Sequence, residues 1–378
     1  MKEMILRKRQ ITAMAVAFGA ALVLAACGSS SSNSSAPAPG GSSTSSSGGS
    51  SSGSGTISGA GSTFAAPIYM QWGSTLKGQG LTVNFNAIGS GAGIAQLQSA
   101  TVDFAGSDPA MLPSEVQAAK GPVAQFPIGF GAITVSYNLS GIKSGIKLDG
   151  KTLGDIFLGK VKKWNDPEIT ALNPGMNLPS TSITVVHRSD SSGTTKAFAT
   201  FLSDYSPAWT AAAGKPDKTV KWPTGTGAKG NSGVAAAIKQ TAGSIGYVEQ
   251  AYALQNGFTY ASVKNSSGKF IAPTIEAASA AAEGIKVPPD LTISTINSPG
   301  PTAYPITSQT FVVVYKDMCK AGISQAAASG VKKFLDYGLG TAGQAVEKQL
   351  FYAPLPASLL SKAQAQLQTL TCNGSPLS

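Results

Sequence analysis

The sequence predicts an α/β protein whose sheets run mainly parallel. Three observations carry that expectation. Short runs rich in β-branched and aromatic residues alternate with Ala/Gly-rich amphipathic stretches, the pattern of strand–helix units. The 378 residues give room for about two domains of ordinary size. With 42% hydrophobic residues the chain can bury a sizeable core, and no repeat of 20–50 residues suggests a solenoid.

The N-terminus stands apart from that alternation. It reads Lys2, Arg7, Lys8 and Arg9, then ITAMAVAFGAALVL, then Ala25-Ala26-Cys27. A positive start, a short apolar run and small residues before a cut site describe a secretory signal peptide over residues 1–26. The uncharged run from Ile11 to Ala26 is 16 residues, below the roughly 20 of a membrane-spanning helix. Leu24-Ala25-Ala26-Cys27 resembles the lipobox of bacterial lipoproteins. That resemblance implies a diacylated Cys27 as first residue of the mature chain, anchored outside the cytoplasmic membrane without spanning it. A short transmembrane anchor is the alternative. Residues 28–55 hold 15 Ser and 7 Gly with no charge, so residues 27–55 are expected to be a lipidated cysteine and a disordered tether. As a Gly-rich coil the tether reaches about 30 Å.

Composition then removes whole classes of chemistry. Cleavage takes away four cations and Glu3, lowering the net charge from +10 to +7 and leaving Arg188 as the only arginine. One arginine makes no basic stripe, so no nucleic-acid partner is expected. One histidine, His187, and three cysteines exclude a His-rich metal site and a four-cysteine zinc module, and no cofactor is expected. Once Cys27 is lipidated, Cys319 and Cys372 have only each other as partners. In an oxidising compartment a disulfide is the simpler reading, with two separate buried thiols as the alternative.

From residue 56 the alternation can be followed in order. Strand candidates are LTVNFNAIG (81–89), TVDFAGS (101–107), ITVSYN (133–138), SITVVHR (182–188), SIGYVE (244–249) and TFVVVYK (310–316). Helix candidates are 65–76, 93–100, 113–119, 194–202, 233–240 and 331–339, with Ser114 and Gln117 as a capping box for the third. Two nucleotide-like motifs fall among them. GIKLDGKT (145–152) satisfies GxxxxGK[ST], but Ile146, Lys147, Leu148 and Asp149 are bulky or charged where a phosphate cradle needs compact residues. GTGAKG (225–230) satisfies GxGxxG, but Pro223 precedes it in place of a strand.

Three other loops carry the chemistry: GAGSTFAAPIY (59–69), AIGSGAGIAQL (87–97) and HRSDSSGTTKAF (187–198). Each puts Gly and Ser/Thr immediately before a helix-like stretch. A helix N-terminus offers free N–H groups and the positive end of its dipole, so each loop is a candidate anion site. Simple capping by Ser/Thr is the alternative for each loop alone. Three together, one holding the only mature arginine, favour the anion. VDFAGSDPAML (102–112) adds Asp108 after a strand, where Pro109 disfavours helix.

GAGSTF, IGSGAG, TVDFAGSD, KTLGDIFLGKVKKWNDPEI, HRSDSSGTT, TGAKGNSGVAAAI, GSIGYVEQAYA and YPITSQTF, taken in order, resemble the substrate-binding lipoproteins of bacterial phosphate-specific ABC importers, the PstS family. The resemblance runs from residue 56 to about 378. It implies a two-lobed, periplasmic-binding-protein-like clamp of type II, each lobe a central sheet flanked by helices. Residues 56–132 plus 305–378 would form lobe I and residues 133–304 lobe II, closing by a hinge motion around buried inorganic phosphate. At the matching positions Thr63 and Phe64 would donate backbone N–H groups, and Thr63 and Ser90 hydroxyls. Arg188 would contact phosphate oxygens and be held by Asp190. Ser192 and Thr194 would supply hydroxyls, and Gly193 a backbone N–H. Asp108 would accept a hydrogen bond from a protonated phosphate oxygen and so disfavour sulfate, which carries no proton at neutral pH.

The implied function is phosphate binding outside the membrane, with delivery to the permease subunits of an ABC importer by a monomer tethered through its lipid. The family does not require a disulfide, so the Cys319–Cys372 pairing rests on the cysteine count alone. A secreted phosphatase is the competing class. Its chemistry calls for a metal cluster or a nucleophile with a base, and one histidine supplies neither. A binder of another oxyanion on the same fold is the third reading.

Overall fold

The computed structural model describes residues 55–377, so the expectations for the signal peptide, Cys27 and nearly all of the tether lie outside the described residues. Among the described residues, no helix is long and apolar enough to cross a membrane.

Most strands belong to one long path of pairings through Val123–Tyr137, a 15-residue strand buried on both faces from Phe126 onward. Its first part, residues 123–132, pairs antiparallel with Thr307–Tyr315. Its last part, residues 133–137, pairs antiparallel with Ser244–Glu249. The chain thus passes from one half-sheet to another without leaving the strand. The first half-sheet continues through Phe104–Ser107 and Gly55–Gly61 to Leu81–Ala87. The second continues through Thr184–Arg188 to Thr226–Ala228.

Within this sheet the expectation of mainly parallel pairing holds only for the outer strands. Gly55–Gly61 runs parallel to both its neighbours, as does Thr184–Arg188, each joined to them through helices. The centre is antiparallel because Val123–Tyr137 leads out of the first half-sheet and Thr307–Tyr315 leads back into it. Such a pair runs in opposite directions and needs no crossover helix between its strands.

Helices cover both half-sheets. Ala66–Lys77 turns Ile68, Tyr69, Trp72 and Leu76 inward, and Tyr69 packs edge-on against Phe85 and Phe104. Gly193–Tyr205 buries Phe198, which stacks on Tyr247 of the second half-sheet at 4.4 Å. The short helix Pro113–Gln117 begins differently from expectation. Glu115, rather than a Ser114–Gln117 pair, reaches back to accept from the Leu112 N–H at 2.7 Å. At the GxxxxGK[ST] match, Asp149 accepts from the Thr152 N–H at 2.9 Å and so occupies its helix N-terminus with the protein's own carboxylate. Cys319 and Cys372 are joined in a disulfide.

Candidate functional site

Strand Gly55–Gly61 delivers Ser62, Thr63 and Phe64 to the start of helix Ala66–Lys77. The Phe64 ring is buried edge-on against Tyr352, beneath Gly131, where a Cβ would collide with it. Tyr352 donates to the Phe64 carbonyl at 2.6 Å, and Tyr252 donates to the Thr63 carbonyl at 2.7 Å. In a trans peptide the N–H points opposite the carbonyl, so the grip on Thr63 aims the Phe64 N–H the other way.

Asp108 leaves strand Phe104–Ser107 and is fully buried, with the Asp108–Pro109 bond cis. Its Oδ1 accepts from the Ser62 hydroxyl and, at 3.3 Å, from the Thr310 hydroxyl. Its N–H donates to the Ser90 hydroxyl at 3.3 Å, and Ser90 opens the helix Ser90–Gln98. Burial pushes the Asp108 carboxyl up to about 6, against the lowering pull of Ser62 and of the Arg188 charge. Gly193 of the second half approaches so closely that a Cβ there would overlap the Asp108 carbonyl oxygen. That contact admits only glycine.

Arg188 ends strand Thr184–Arg188 with its side chain 1% exposed. Its Nε donates to Asp190 Oδ1 at 2.7 Å and its Nη2 to Oδ2 at 2.5 Å, a bidentate fork. Nη1 donates to the Thr194 hydroxyl at 3.3 Å. Burial pushes the Asp190 carboxyl up, but its bonds to Arg188 outweigh this and hold it below the usual range. Ser192 caps helix Gly193–Tyr205 by accepting from the Thr195 N–H at 3.1 Å.

The hydroxyls share one feature. Thr63 accepts from Asn231 N and Nδ2 at 3.2 and 3.0 Å, Ser90 from Asp108, Ser192 from Thr195 and Thr194 from Arg188. With a lone pair engaged by the protein, each keeps its proton to donate. The N–H groups of Thr63, Phe64, Ser90, Gly193 and Thr194 make no hydrogen bond to any described residue. Asp108 is the acceptor set among these donors. The arrangement suits a small, acceptor-rich oxyanion that carries one proton.

The nine residues proposed from the sequence for the phosphate site, Thr63, Phe64, Ser90, Asp108, Arg188, Asp190, Ser192, Gly193 and Thr194, therefore lie in or beside this cluster. Those not singled out are Thr310, Asn231, Tyr252 and Tyr352, together with the Ser62 hydroxyl that binds Asp108. Asn231 and Thr310 stand in the segments TGAKGNSG and YPITSQTF, and that placement was their only signal. His187 points elsewhere, stacked on Trp222 at 4.5 Å.

A family model described as the PBP superfamily domain matches residues 46–341. The chain is 43% identical over 318 residues to the phosphate-binding protein PstS of Pasteurella multocida, covering 83% of this chain and 90% of that protein. It is 42% identical to the PstS of Haemophilus influenzae, over 83% of this chain and 93% of that one. Against PstS 3 of Mycobacterium tuberculosis it is 34% identical, over 95% of this chain and 98% of that one. Among solved structures, PfluDING, a high-affinity periplasmic phosphate-binding protein bound with phosphate, superposes with a TM-score of 0.68. The two are 22% identical, with 82% of this chain and 93% of that one covered. A phosphate-binding protein from Stenotrophomonas maltophilia gives 0.64 at 19% identity, with the same coverage. The fold is the two-lobed α/β clamp of such binding proteins. The chain belongs to the PBP superfamily and, within it, to the PstS phosphate-binding proteins.

Proposed function

We propose that the protein binds inorganic phosphate outside the cytoplasmic membrane and hands it to the permease of a phosphate ABC importer. It is a binding protein and not an enzyme, in keeping with relatives that are named for binding. The observation that supports the reading best is the donor set. Among the described residues, four hydroxyls with protons to spare, five N–H groups without a protein acceptor and Arg188 gather around the Asp108 carboxylate.

Thr63, Phe64, Ser90, Arg188, Ser192, Gly193 and Thr194 would donate to the phosphate oxygens. Asp190 would hold the guanidinium, and Asp108 would accept the proton that phosphate retains and sulfate lacks. The change of pairing partner at residues 132 and 133 supports a boundary there, with residues 56–132 and 305–378 as one lobe and 133–304 as the other. Phosphate would bridge them and favour the closed arrangement. Lipid on Cys27 and the Ser/Gly tether would keep this monomer at the outer face of the membrane, within reach of the permease.

Titration calorimetry tests the reading. Micromolar or tighter phosphate binding, without competition from sulfate and without hydrolysis of a phosphate ester, is expected. Sulfate binding as strong as phosphate binding would refute the role of Asp108.

A further inference from the structure

The two halves of the site also touch through an ion pair whose side chains make no hydrogen bond to a proposed phosphate ligand among the described residues. Lys218 lies between helix Pro207–Ala213 and strand Thr226–Ala228, on the second half. Glu115 lies in helix Pro113–Gln117, on the first. The Lys218 amine donates to both carboxylate oxygens of Glu115, at 2.6 and 2.7 Å, across 103 residues of sequence. The lysine side chain is 4% exposed and the glutamate side chain 22%. An ammonium so far from water needs its carboxylate, and separating the pair leaves each charge to be rehydrated.

Both partners are fixed to the site. The Lys218 carbonyl accepts from the Ser192 N–H at 2.8 Å, which binds this segment to the loop carrying Ser192, Gly193 and Thr194. Glu115 is locked on its own side by the Leu112 N–H, and its carbonyl accepts from Gln98 at the end of the helix that Ser90 opens. The ion pair therefore joins the element behind the second anion loop to the element behind the third.

We infer that Lys218 and Glu115 form a latch that fastens the two halves over bound phosphate and slows its release. They are positioning residues rather than ligands, and the inference rests on the phosphate reading above. A contact present only in the closed arrangement lowers the release rate and leaves diffusional entry nearly untouched. Lys196 lies close enough for its charge to be felt by this pair and could replace a lost Lys218, so the glutamate is the more telling partner to change.

The test measures binding and release of radiolabelled phosphate, chased with unlabelled phosphate, for the full mature protein and for Glu115→Gln, Lys218→Met and the double variant. Release is expected to quicken at least about tenfold in Glu115→Gln, with association within about twofold and the preference for phosphate over sulfate retained. The double variant should release no faster than the faster single one, because both changes remove one interaction. Glu115→Gln keeps the side-chain shape and an oxygen for Leu112, so it carries the test should Lys218→Met fail to fold. Unchanged release in Glu115→Gln, in a protein whose parent binds phosphate, overturns the latch alone. A parent that binds no phosphate overturns the phosphate reading, and the latch with it.

Discussion

The two halves of the site divide its chemistry unequally. The first half brings the Asp108 carboxylate, which has no ion-pair partner among the described residues, with the hydroxyls of Thr63 and Ser90. The second half brings the cation, Arg188, already neutralised by Asp190, with Ser192, Gly193 and Thr194. Neither half alone offers both attraction and discrimination. An oxyanion meeting only the second half would be drawn by Arg188 whether or not it carried a proton. In the reading proposed above, contact with Asp108 would impose the choice, and that contact would require the halves to meet, as they do where Gly193 abuts the Asp108 carbonyl.

The largest effect that would sharpen this division is on selectivity. Asp108→Asn gives the first half a donor in place of an obligate acceptor. The phosphate-to-sulfate ratio should then fall by about 10⁴, read from paired calorimetric titrations. Acid should imitate the variant in part. Below about 6 the wild-type carboxyl takes up a proton and can itself donate, so sulfate should begin to compete as the pH falls through that value.

Changing the second half should cost affinity rather than selectivity. Arg188→Met removes the charge and leaves buried Asp190 with the Gly230 N–H but no cation, at a cost in folding stability of about 3–5 kcal/mol. Phosphate affinity should fall about 10²- to 10³-fold, with the remaining preference for phosphate over sulfate kept. A collapse of selectivity in this variant would show that the division is false.

The disulfide between Cys319 and Cys372 closes a loop of 53 residues within the C-terminal part of the chain. Replacing both by serine should lower stability by about 4 kcal/mol in the chain-entropy account, measured by urea unfolding. Phosphate affinity should change less than twofold, since neither cysteine touches the site.

The smallest effect concerns stability against pH in the ligand-free protein. Burial raises the Asp108 carboxyl from 3.8 to about 6, so the folded protein binds this proton more tightly than the unfolded one. Its contribution to stability is therefore full below 3.8 and lost as the pH rises through 6. Buried Glu249 and Glu347, also raised by burial, act in the same direction. Asp108→Asn should flatten only part of that slope, as urea unfolding at pH 4, 5, 6 and 7 would register.

How much of this was legible in the sequence depends on whether the signal was local. The three anion loops were legible because Gly and Ser/Thr ahead of an apolar periodic stretch is a local arrangement, and a helix start follows from it. Only the second part of Val123–Tyr137 stood out as a strand. Pro127, Gly129 and Gly131 weaken the strand signal in its first part, where pairing with Thr307–Tyr315 and close packing by Phe64 hold the chain extended instead. Thr310 reaches Asp108 only because Thr307–Tyr315 pairs with Phe104–Ser107 from far along the chain, Asn231 reaches Thr63 only where the two halves meet, and Lys218 meets Glu115 only across 103 residues. Contacts of that kind leave no periodicity for the sequence to show. The antiparallel centre of the sheet was hidden for the same reason, since strand direction there is set by the path between the halves.

The most direct measurement is a crystal structure of the mature protein grown with phosphate. One tetrahedral anion is expected between the halves, its oxygens on the N–H groups of Phe64 and Gly193, the hydroxyls of Ser90, Ser192 and Thr194, and the Arg188 guanidinium. One oxygen should lie within hydrogen-bonding distance of Asp108. An anion bound by the second half alone, with Asp108 turned away from it, would contradict the division of attraction and discrimination between the two halves.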